Sequence, residues 1–70
     1  MYKSFRINYE YYIEGISNPW RTDETEFDVK DADFVAMFNE LISLFNKFAA
    51  EQGYDAVDIG YIEEVPYDGE

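Results

Sequence analysis

Residues 31–53 run from one helix-capping residue to another with no proline and no glycine between them, and their apolar side chains recur with a helical period. At 100° per residue, Phe34, Phe38, Leu41, Phe45 and Phe48 form the centre of an apolar stripe. Val35, Ile42 and Ala49 widen it on one side, Met37 and Leu44 on the other, and Asn39, Glu40, Ser43, Asn46, Lys47 and Glu51 lie opposite. Asp31 has the short acceptor side chain of an N-cap. Asp33 adds negative charge where the helix dipole favours it, and Lys47 lies toward the end that favours a cation. Gly53 suits the left-handed residue that closes a helix. The apolar arc spans about half the circumference, wider than the ~100° stripe of an ordinary surface helix. Such a helix packs on a sheet and has a flank to spare for another chain.

The sheet is supplied on either side. Residues 2–14 alternate, with Phe5, Ile7, Tyr9, Tyr11 and Ile13 on one face and Tyr2, Ser4, Arg6, Asn8, Glu10, Tyr12 and Glu14 on the other. Residues 15–19 (Gly-Ile-Ser-Asn-Pro) have the chemistry of a loop. Residues 21–29 alternate again, Thr25, Phe27 and Val29 inward and Glu24, Glu26 and Asp28 outward, which makes an antiparallel hairpin with the first strand. Residues 56–65 form a third strand, with Val57, Ile59, Tyr61 and Val65 expected inward and Asp58, Gly60, Ile62 and Glu64 outward. Glu63 breaks the inner face and marks an end or a bulge. The order β-β-α-β requires a right-handed crossover, so strand three runs parallel to strand two. The expected fold is α+β, a mainly antiparallel sheet of order 2-1-3 with one long helix on one face. Residues 1–65 form the domain and 66–70 a polar tail.

A chain of 70 residues buries a small core. It has no cysteine to staple it, so the aromatic residues, 20% of the chain, must supply much of the buried area. No histidine means no imidazole base or ligand. None of the three serines sits in a nucleophile elbow, and no glycine-rich phosphate loop is present. Residues 23–28 (Asp-Glu-Thr-Glu-Phe-Asp) lack the glycine and spacing of a calcium loop and read as solvated carboxylates. These absences point away from an enzyme, a metal and a cofactor. No apolar run approaches the ~18 residues of a membrane span, and the N-terminal MYKSFRINYEYY has no uniform apolar core of a signal peptide.

Sixteen acidic residues against five basic ones give a net charge of −11, beyond the magnitude of ~2–8 that solubility asks of a small domain. Such charge argues against binding nucleic-acid phosphates or an anionic membrane and for a basic, Lys/Arg-rich protein partner. Glu24, Glu26, Asp28, Asp58 and Glu64 are expected on the bare sheet face with Glu10 and Glu14, and Asp23 begins the same acidic run. Carboxylates two residues apart on a strand lie ~6.6 Å apart, of the order of the spacing of phosphates along a nucleic-acid strand. Tyr12 and Ile62, expected on that face, and Trp20 at the loop end are candidate short-range anchors. Arg6 among the acids reads as a neutralising ion pair.

In size, charge, lack of Cys and His, and acidic stretches such as 23–28 and 62–65 (Ile-Glu-Glu-Val), the chain resembles the small acidic anti-CRISPR and anti-restriction proteins of phages, several of which mimic DNA. That resemblance implies a stoichiometric inhibitor acting in the cytoplasm of a bacterial host. A contrasting expectation is a regulatory or interaction module without mimicry, monomeric or homodimeric through Val35, Ile42 and Ala49 or through Met37 and Leu44.

Overall fold

Strand β1 (Tyr2–Tyr12) is hydrogen-bonded on both edges, to β2 (Arg21–Lys30) and to β3 (Ala56–Val65), antiparallel to each. The sheet order is β2-β1-β3, and helix α1 (Phe34–Gln52) carries the chain from one edge to the other, as the pattern of the sequence predicts. The structure is a computed structural model that describes residues 1–16 and 19–67. Ser17 and Asn18 of the expected loop, and Asp68, Gly69 and Glu70 of the expected tail, lie outside the described residues.

The helix begins two residues later than its sequence suggests. Asp33, not Asp31, is the N-cap: its backbone is extended (φ −66°, ψ 162°) and its carboxylate accepts from the Ala36 N–H at 3.0 Å. Asp31 stays with the sheet: its N–H donates to the Met1 carbonyl at 2.9 Å, which prolongs the β1–β2 ladder. At the other end Gly53 adopts φ 76° and its N–H donates to the Ala49 and Ala50 carbonyls. Tyr54, which the sequence presents only as part of a connection, turns back into the core and stacks on Tyr11 at 4.5 Å between ring centroids.

Ile7, Tyr9, Val29, Leu41, Phe45 and Ala49 form the core. Tyr9 is its hub. Its ring meets Phe45 edge-on at 5.3 Å and Phe48 at 6.0 Å, and its hydroxyl shares a 2.9 Å hydrogen bond with that of Tyr54. Each such aromatic pair adds about 0.5–1.5 kcal/mol beyond area burial.

Strand β3 departs from simple alternation. Asn8 pairs with Tyr61 and Tyr9 with Ile59, so Gly60 is an extra residue, a β-bulge. A Cβ at Gly60 would lie 2.9 Å from Asn8 Oδ1 and 3.2 Å from the Asn8 carbonyl oxygen, so only glycine fits without displacement. Beyond the bulge every side chain changes face. Ile62, opposite Ile7, turns in to pack on the core, and Glu64, opposite Phe5, falls on the helix side. Tyr61, Glu63 and Val65 turn out. The expected assignment of β3 thus holds for Val57, Asp58 and Ile59 and is reversed from Tyr61 onward.

The stripe of α1 is also used unevenly. Leu41, Phe45 and Ala49 are buried and Met37, Leu44 and Phe48 pack against them, so most of the flank expected to be spare is spent inside. Phe34 is 74% exposed. Phe45→Ala is therefore expected to lower unfolding free energy by about 3–5 kcal/mol and Phe34→Ala by no more than about 0.5 kcal/mol, measured by urea denaturation.

Burial first, and then the bond to Tyr54, push the pKa of the Tyr9 phenol well above its ordinary value of about 10. Below pH 10 both folded and unfolded chains keep that proton and stability is unaffected. Above it the unfolded chain releases the proton first, so stability falls by up to about 1.4 kcal/mol per pH unit. In an absorbance titration at 295 nm, one tyrosine should ionise only together with loss of the circular-dichroism signal, and Tyr9→Phe should remove that step.

Candidate protein-interaction face

The sheet face away from the helix carries the candidate site. Because side chains of paired residues share a face, the register places Glu10, Glu24, Glu26, Asp28, Asp58 and Glu63 there, with Arg6 and Lys30 as the cations. Glu24, Glu26 and Asp28 follow one another along the edge strand β2, and Asp58 and Glu63 lie on the opposite edge. The two acidic rows are about 9.6 Å apart, two strand spacings.

Arg6 sits between the rows and gathers three of these carboxylates. Its Nη2 and Nε donate to Glu26 Oε2 at 3.0 and 3.1 Å, its Nη1 lies 3.4 Å from Glu63 Oε2, and Glu24 is 3.8 Å from Nε. The hydrogen bond to Glu26, with the surrounding negative charge, raises the guanidinium pKa further above its ordinary range. The Ser4 hydroxyl donates to Asp28 and is buried even though it lies on the outer face. Tyr67 folds back at this end to stack on Tyr2 at 6.1 Å.

The other end of the face is different. Glu10 and Asp58 are direct partners across the β1–β3 ladder, two like charges where opposition is destabilising, and neither takes part in an ion pair among the described residues. Beside them Tyr12 packs on Trp20 at 6.0 Å, and Trp20 remains 44% exposed. On the other side stands Tyr61, opposite Asn8 and 55% exposed. An uncompensated acidic pair is thus flanked by two aromatic groups.

Of the residues named from sequence, Glu10, Tyr12, Glu24, Glu26, Asp28 and Asp58 come together on this face, with Trp20 against Tyr12. Three do not. Asp23 is the partner of Tyr9 and lies on the helix side, while Ile62 and Glu64 are carried there by the bulge. Glu14 lies beyond β1, where its N–H donates to the Asp55 carboxylate at 2.7 Å. Tyr61 and Glu63 were missed. Their signal was Gly60 in mid-strand together with the charge at position 63, which a bulge reconciles.

Among the described residues no three Asp or Glu side chains are disposed to hold a metal ion, and no helix is long and apolar enough to cross a membrane. Comparison with protein-family models, curated proteins and solved structures finds no match to this chain.

The two ends of the face should respond oppositely to neutralisation. Arg6→Gln leaves three carboxylates facing one another and should lower the melting temperature by a few degrees at low salt, whereas Asp58→Asn relieves the Glu10 repulsion and should raise it. Both differences should shrink toward zero as salt rises to about 1 M, where the Debye length is about 3 Å. Thermal scans at two ionic strengths measure this.

Proposed function

We propose that the protein is a stoichiometric inhibitor whose outer sheet face occupies a basic, nucleic-acid-binding surface of a protein target. The observation that supports this most is the unneutralised Glu10–Asp58 pair beside exposed Trp20 and Tyr61. A face shaped only for solubility gains nothing from like charges set directly opposite each other, since the same charges scattered elsewhere would repel less. A Lys or Arg from a partner placed between them relieves that repulsion, so the site gives up some stability in isolation and recovers it in the complex. The aromatic groups on either side supply apolar contact at the centre of such an interface, and the net charge of −11 steers a cationic partner toward it. The action is binding, without catalysis.

Partners captured from a bacterial lysate at low salt provide the test. A true target binds duplex DNA or RNA by itself, and nucleic acid and this protein displace one another from it. Glu10→Gln with Asp58→Asn should weaken capture at least tenfold at low salt while making the fold more stable. A target that holds nucleic acid and this protein together, or an affinity unchanged by salt, would refute the reading.

A further inference from the structure

We infer that a second docking site lies on the opposite side of the sheet, in the cleft between the first turns of α1 and the sheet, and that it receives a cationic amphipathic helix from a partner protein. The cleft, of about 280 Å³, is lined by Phe5, Phe34, Met37, Phe38, Leu41 and Ile62. Phe34 and Phe38 stack on each other at 5.9 Å, yet they stay 74% and 42% exposed. The sheet supplies Phe5 and Ile62 to the cleft, with the charged Lys3 and Glu64 beside them. The volume is roughly twice that of an engineered apolar cavity able to admit benzene. It therefore has room for about two large apolar side chains, the number a helix presents at i and i+4.

Charge on the rim selects the occupant. Asp33, the N-cap, immediately precedes Phe34, Asp31 lies two residues before it, and Glu64 is the β3 partner of Phe5. Lys3, the cation beside the cleft, is engaged with Glu64 at 4.0 Å. An apolar floor inside an acidic rim complements a helix whose apolar ridge is flanked by Lys or Arg. A second copy of this chain would bring the same three carboxylates against its own and add −11 to −11. Anionic lipid is repelled for the same reason. This site shares no side chain with the outer face, so it stands whether or not the outer face binds a nucleic-acid-handling protein.

The full chain titrated with synthetic peptides, followed by calorimetry and by amide and methyl NMR shifts, tests the inference. A helical peptide with Leu at i and i+4 and flanking Lys should bind one to one. It should shift signals of Phe5, Phe34, Met37, Phe38 and Ile62, and lose at least tenfold in affinity to Phe34→Ala and to Glu64→Lys. Both substituted positions are exposed, so both variants should fold. Equal binding of a scrambled peptide of the same charge, or of the same ridge flanked by Glu, would overturn the inference. So would shifts confined to the outer face, or a concentration-dependent dimer in sedimentation that buries the cleft.

Discussion

The central strand is hydrogen-bonded along both edges, and side chains paired across a ladder must share a face. The alternation of β1 therefore dictates where every side chain of β2 and β3 can point. Lys3, Phe5, Tyr9 and Tyr11 place their partners Val29, Phe27, Ile59 and Val57 on the helix side. Arg6 and Glu10 collect the carboxylates on the other side. The core and the acidic face are thus two consequences of one register, and a slip of one residue would exchange them.

The register has one adjustable joint, Gly60. Without the extra residue, Ile62 would face water and Glu63 would enter the core, each at a cost in free energy. The bulge lets β3 bring Ile62 inward and hand Glu63 to Arg6, and it exposes Tyr61 next to the Glu10–Asp58 pair. A backbone detail made possible by a missing Cβ therefore sets both the packing under α1 and the composition of the outer face.

A chain this small cannot cover everything it makes apolar. The sheet and helix bury their shared middle around Tyr9 and Phe45 and leave Phe34 and Phe38 in the first turns of α1 exposed. The molecule is consequently two-sided. Its outer face is acidic with aromatic posts. Its inner edge is an aromatic cleft with an acidic rim. In each place charge and apolar surface stand together, and both proposed docking sites rest on that combination.

Local periodicity determined a great deal. The three strands, the helix, the inward faces of β1 and β2, the cap at Gly53 and the anionic character of the chain are all properties of residues close in sequence or of simple counts, and the 2-1-3 order follows from the succession of those elements. Asp33 in place of Asp31 as the cap, the reversal of β3 beyond Gly60, the return of Tyr54 to the core and the three carboxylates gathered by Arg6 came only from the tertiary structure. Each depends on which distant residue lies opposite. Met1 holds the Asp31 N–H, Asn8 crowds Gly60, and Glu63 meets Arg6 across 57 positions of chain. Periodicity is read along one strand at a time, whereas parity and charge pairing are set between strands, and that relation exists only once the ladder has formed.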